Sequence, residues 1–144
     1  MKSIPILCFM LIFGKNTFCQ INDSTAIVKL LEKESSTWRS GDSASHADCW
    51  KIQPYSMVII ITGDGKTLSI PAETVAHAAK ENMGKGGKSK NSSYSMSIHG
   101  NDAVVTHHET STTVAGVVSH TFEVRMLEKI NGEWKLTGQI IQVL

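Results

Sequence analysis

The sequence predicts an α+β domain, helices first and a long antiparallel sheet after them, on three observations. Near the start, Ile27, Leu30, Leu31, Glu34 and Trp38 fall at offsets 0, 3, 4, 7 and 11, which is one face of a helix. From residue 94 to residue 143 the chain is rich in β-branched residues alternating with polar ones. Within that stretch, Asn131-Gly132 is the dipeptide that best suits a two-residue hairpin. Helices followed by runs of strands, with no strand–helix–strand alternation, is the α+β pattern.

The chain is long enough, at 144 residues, for one domain with a real core. Three prolines and eleven glycines exclude a collagen-like chain, and 41% hydrophobic residues exclude wholesale disorder. Basic residues number 14 and acidic residues 13. No field of either sign is strong enough to recruit nucleic acid or an anionic membrane.

Residues 1–19 read as a secretory signal peptide: Lys2 supplies a positive start, and residues 4–14 are an uncharged apolar run too short to span a bilayer. Thr17 and Cys19 are small enough to precede a cleavage before Gln20, and acylation of Cys19 as a lipoprotein is the alternative. Residues 20–144 are then a single exported domain, periplasmic or secreted, with no membrane attachment after cleavage. Losing Lys2 and Lys15 brings its net charge to −1, and losing Cys8 and Cys19 leaves Cys49 as the one thiol. An intramolecular disulfide is thereby excluded, and the domain relies on its core.

Asn22, Asp23 and Ser24 offer caps for the first helix, which is expected to end near Ser40-Gly41. Glu34 interrupts the apolar stripe of that helix where an aliphatic residue would be expected. Residues 43–50 read as a second short helix capped by Asp42 or Ser43, closed off by Pro54. The β-branched run 56–62, the turn Gly63-Asp64-Gly65 and residues 67–70 form a first hairpin. Pro71 opens a third helix expected to reach Met83, and residues 84–90 are expected to be a basic surface loop. Strands follow at 94–99, 103–114, 117–130 and 134–143.

This order of elements resembles the nuclear transport factor 2-like superfamily, close to its SnoaL-like small secreted bacterial members. The resemblance rests on Leu30-Leu31-Glu32-Lys33-Glu34, Trp38, Gly41-Asp42, His46 and Cys49-Trp50 at the start. It rests equally on residues 125–136 at the end, where a strand, Asn-Gly and Glu133-Trp134-Lys135-Leu136 make a hairpin. It covers residues 22–144. It implies helices packed in a strongly curved antiparallel sheet, a cone-shaped, cystatin-like architecture with a conical cavity, and a homodimer through the outer sheet face. It does not specify function, since the superfamily hosts isomerases, dehydratases, cyclases and non-enzymatic modules.

Strand alternation suggests the cavity lining. Val118, His120, Phe122, Val124 and Met126 share one face, apolar except for His120, and are expected to point inward. A two-residue turn at Ala115-Gly116 sets Ser111 opposite His120 and brings Val105, His107, Glu109 and Ser111 to the same interior. His108 then points out beside Glu123, and a one-residue slip would redraw the assignment. The candidate acid–base residues are thus His107, Glu109 and His120, with His46 reaching in from the helices. Glu34, Trp38, Trp50, Phe122 and Trp134 are candidate ligand contacts. These histidines and carboxylates carry no metal-ligand spacing, and no cofactor motif is present, so neither a metal nor a cofactor is expected. Thr106, Thr110, Thr112, Ser119 and Thr121 are expected on the outer, dimer-forming face.

The leading expectation is an exported domain binding a small, mostly apolar molecule. The alternatives are a cofactor-free acid–base enzyme of dehydratase, isomerase or cyclase type, and a non-enzymatic dimeric interaction module.

Overall fold

The structure is a computed structural model that describes residues 14–144 in backbone and 22–144 in side chain. The signal peptide expected over residues 1–19, with its cleavage point, falls outside the described side chains. Ten elements follow: α1 (Gly14–Ser40), α2 (Ser43–Ala47), β1 (Met57–Ile61), β2 (Thr67–Pro71), α3 (Ala72–Ala76), a 3₁₀ turn at Lys80–Asn82, β3 (Lys88–His99), β4 (Asp102–Thr112), β5 (Val118–Ile130) and β6 (Glu133–Val143).

The strands make one six-stranded sheet in the order β2-β1-β6-β5-β4-β3. Only β1 and β6 pair in parallel; every other neighbour is antiparallel. The helices pack on one face of this curved sheet. Ile27 and Leu31 of α1 meet Val58, Val105, Leu127 and Leu136 in the core, with Trp50 and Trp134 beside them.

Helix α1 buries Ile27, Leu31 and Glu34 of the predicted stripe and half-buries Leu30 and Trp38. It does not begin at the expected caps but runs through them. Asp23 instead accepts the indole N–H of Trp134 at 3.0 Å, tying the helix to β6. At its other end Gly41 takes φ +68°, with Gly41 N bonded to Trp38 O and Asp42 N to Thr37 O, the paired bonds of a Schellman cap. Asp42 then accepts from Ser45 N at 3.1 Å and starts α2. That helix stops at Ala47 rather than Trp50, because Cys49 and Lys51 leave it to bond the backbone of Leu136 in β6.

Two further departures come from tertiary packing. The third helix ends at Ala76 instead of Met83. The chain turns there so that Met83 is buried and Gly84 lies against α1, its N–H donating to Trp38 O at 3.0 Å. Residues 88–90, expected in a loop, open β3 by pairing with the far end of β4, and a bulge between Ser92 and Ser95 restores the alternation beyond it. The turn at Asn131 (φ +52°) and Gly132 (φ +87°) has the left-handed pair that a type I′ hairpin needs.

The β4–β5 connection overturns one expectation. The link is not two residues but five, 113–117, closed by Thr113 N to Val117 O at 2.9 Å. Thr110, not Ser111, therefore faces His120. Across the pair, Val105 meets Arg125 and His107 meets Glu123, so Glu123, Arg125 and Leu127 point inward. Val118, His120, Phe122, Val124 and Met126 lie on the outer face, opposite to expectation. Ser119 and Thr121 accordingly leave the outer face, while Thr106, Thr110 and Thr112 remain there.

Candidate functional site

The interior of the cone is polar and densely paired. Arg125, 4% exposed, bonds Glu123, Gln139 and Glu34, the last at 3.2 Å. Glu123 also accepts from Thr121 Oγ1 at 2.8 Å and faces His107 Nε2 at 3.5 Å. One strand pair further toward the mouth, Glu109 is held by Arg39 of α1 and by Ser35 Oγ at 2.6 Å. Ser35 and Ser89 hydroxyls lie 3.1 Å apart above it. Both arginines of the chain are thus paired inside the cone.

Local sequence explains each placement. Glu34, Ser35 and Arg39 lie on the inward face of α1, and β4 sends in His107 and Glu109 by alternation. His46 is fully buried, with Nδ1 3.4 Å from the Glu34 carbonyl and its ring between Trp38 (5.2 Å between centroids) and Trp50 (6.3 Å). His46, Glu34, Arg125, Glu123 and His107 therefore form one continuous buried chain.

The remaining expected residues lie elsewhere. His120 is exposed on the outer face, 3.1 Å from the Thr110 hydroxyl, and Phe122 stacks there on His108 at 5.3 Å. Their inward assignment fails because large apolar groups on an outer sheet face need only neighbours on that face, whereas Glu123 and Arg125 find their partners inside. Trp134 is buried at the Asp23 end, in the core rather than the polar cluster.

Glu123 and Arg125 were the residues missed. The signal that could have found them is Glu34: a carboxylate in a buried stripe calls for a buried cation, and this chain has two arginines to supply one.

Burial, and next the Arg125 charge, hold the His107 imidazole below its ordinary pKa. Burial would raise Glu123, but Arg125, the Thr121 hydroxyl and His107 hold it below the usual carboxylate range. Glu109 is pushed up by burial, against the Ser35 hydrogen bond. A neutral imidazole thus faces an ionised carboxylate. The imidazole can take a proton, and Glu123 stabilises the cation formed. His107 Nε2 stands 3.5 Å from the Glu123 carboxylate without a well-aligned hydrogen bond, and the side chain is 1% exposed.

The lowered His107 pKa has a signed consequence. The unfolded chain binds this proton at higher pH than the native one, so His107 reduces stability as pH falls below about 6.5. His107→Phe should lessen the loss of urea stability between pH 7 and pH 5. An unchanged pH slope would contradict the assignment.

Among the described residues no group of three or more His, Cys, Asp and Glu is arranged to hold a metal, and no helix is long and apolar enough to cross a membrane. Of two surface clefts, one lies beside the site, and neither is lined by His107, Glu123 or Arg125. One, about 430 Å³, lies at the mouth between α1 and the start of β3. The other, about 560 Å³, is an apolar groove on the outer sheet face, lined in part by Met57, Ile59, Val104, Met126 and Ile140.

No sequence-family profile matches the chain, and no curated protein is similar to it by sequence. Solved structures are similar in fold. A nuclear transport factor 2-like protein of unknown function from Shewanella baltica OS155 aligns over 86% of this chain and 95% of its own, with a TM-score of 0.65 at 16% identity. A nuclear transport factor 2-like protein with a cystatin-like fold from Novosphingobium aromaticivorans aligns over 92% of each chain, with a TM-score of 0.64 at 13% identity. The chain has the nuclear transport factor 2-like fold. A third structure of this fold, a candidate dehydratase of the nuclear transport factor 2-like family from Streptomyces avermitilis, aligns over 87% of this chain and 98% of its own, with a TM-score of 0.66 at 14% identity. In this chain, the concave side of the sheet carries the His107–Glu123–Arg125 cluster and its convex side the apolar groove.

Proposed function

We propose that the domain binds a small molecule in the cone and exchanges a proton with it through His107, as a cofactor-free acid–base enzyme of dehydratase, isomerase or cyclase type. The observation that carries this reading is His107 itself. A buried imidazole whose contact with its carboxylate is long and poorly aligned forgoes part of a hydrogen bond, worth about 1–3 kcal/mol when wholly unmade, and a buried group of this kind calls for an explanation. A ligand that supplies the partner is that explanation. The candidate dehydratase of the same fold is compatible with it.

Soaking the purified protein in cell extract and identifying retained molecules by mass spectrometry should yield a compound with an acidic C–H. Its exchange in D₂O should be catalysed, and should slow by about 10²–10⁴-fold in His107→Gln. Exchange that is indifferent to His107 would refute the reading.

The protein's setting is part of the proposal. The leader-like residues 1–19 and a lone remaining cysteine support export to the periplasm or medium, which N-terminal sequencing of the mature protein checks: Gln20 is expected, Met1 would exclude it.

The outer sheet face supports a homodimer. Met57, Ile59, Val104, Phe122, Val124, Met126 and Ile140 make it apolar across the four adjacent strands β1, β6, β5 and β4, a contiguous face of the kind that stable interfaces of roughly 800 Å² per partner use. Light scattering should give a dimeric mass for the wild type and a monomeric one for Val124→Lys. A monomeric wild type at high micromolar concentration would remove this element.

A further inference from the structure

The cleft at the mouth of the cone is lined by Glu32, Ser36, Arg39, Ser40 and residues 86–89. Two of its lining residues contact the buried cluster, Arg39 pairing with Glu109 and Ser89 lying 3.1 Å from the Ser35 hydroxyl. Of the groups that would repel an anion there, the helix carbonyls are hydrogen-bonded, while Glu32 keeps its charge at the far end of the cleft. The last carbonyls of α1 are covered, Trp38 O by Gly41 and Gly84 and Arg39 O by Gly86 at 2.7 Å. The Glu32 carboxylate accepts from Tyr94 Oη at 2.9 Å and stands two helical turns, about 10 Å, from Arg39.

The cations are less fully used. Arg39 offers five N–H donors, and its Nε has no acceptor among the described residues. Lys88 is exposed and joins no ion pair among them. Lys85 and Lys90 lie within three residues of Lys88. Glu109, the buried partner of Arg39, is two residues from His107 on the same face of β4, a separation of about 7 Å.

Resting on the reading that the cone takes a small molecule, we propose that this cleft is its anion-recognition end: the ligand carries a carboxylate or phosphate held by Arg39 and Lys88, and its remaining atoms extend past Glu109 toward His107. The arriving anion shares Arg39 with Glu109. Burial already pushes the Glu109 carboxyl up, so it can take a proton rather than oppose the ligand.

Amide and imidazole resonances of the isotopically labelled protein test this, with benzoate and inorganic phosphate as anionic probes and benzamide as the neutral isostere of benzoate. Saturable shifts are expected at Gly86, Gly87 and Ser89 with an anion and not with benzamide; the stronger of the two anions tells carboxylate from phosphate. Lys88→Gln, an exposed change that leaves the core untouched, should weaken that binding by about 3–10-fold. Arg39→Gln should abolish it, with the amide spectrum reporting whether the variant is folded. Equal shifts with benzamide, no saturable shift with either anion, or unaltered binding in Lys88→Gln would each overturn the proposal. If molecules retained from extract are neutral yet move the His107 imidazole, the ligand class is wrong and the cone site stands. If no retained molecule moves that imidazole, the cone site itself falls.

Discussion

Arg125→Met should lower unfolding stability by about 3–5 kcal/mol, the range for breaking a buried ion pair by removing one partner. Methionine fills much of the same volume, so packing loss is small and the effect isolates the charge. Glu34 and Glu123, both at most 5% exposed, would be left buried with their main cation gone, and Gln139 would lose its donor. The expected compensation is specific. Adding Glu34→Gln and Glu123→Gln to Arg125→Met should recover a large part of the loss, because a neutral amide is far less costly to bury than a carboxylate. Urea unfolding measures both. A single variant within 1 kcal/mol of wild type would mean that the cluster is solvated, and the charge chain through the cone would have to be abandoned.

Gly87→Ala should be nearly as damaging, by about 2–4 kcal/mol, through two separate causes. The backbone at Gly87 sits at φ +103°, where an L-residue is strained by about 1–3 kcal/mol. A β-carbon there would also lie 2.3 Å from Thr112 O and 3.2 Å from Thr113 Cα, both backbone atoms that cannot step aside. The first pair of β3 with β4, Lys88 with Thr112, would have to open. Gly100→Ala is the matched control. That residue is also left-handed, at φ +62°, but nothing lies within 4 Å of its added carbon, so only about 1–2 kcal/mol of backbone strain is expected. Thermal unfolding of the two variants should therefore separate clash from strain. Equal losses would show that the β3 entrance is pliable, and the mouth cleft beside it would then lack a rigid wall.

Much of the architecture was written in local pattern. The i, i+3, i+4 stripe of Ile27, Leu30 and Leu31 marked the buried face of α1, Gly41 its end, and Asp42 the cap of α2, because each depends on residues within one or two turns. Asn131-Gly132 likewise specified its own hairpin, since both residues must be left-handed there. His107 and Glu109 were expected inside on two premises the structure overturns together, an inward Phe122 face and a two-residue turn, and the two errors cancel: the structure buries both, as it does Glu34 and His46.

The facing of β5 was not legible. Its two faces, one of Phe122, Val124 and Met126 and one of Glu123, Arg125 and Leu127, differ in a way that hydrophobicity alone misreads. The choice turned on partners from distant parts of the chain: Glu34, 91 residues before Arg125, and Gln139, 14 after it. A carboxylate and a guanidinium are costly to bury singly and tolerable once paired, so the face that can complete its pairs goes inside. The length of the β4–β5 link followed the same logic, five residues in place of two, which moved the register by one and set His120 in solvent. Local sequence thus decided which segments become helix or strand, while the closing of an ion-pair network across the tertiary fold decided which residues make the site.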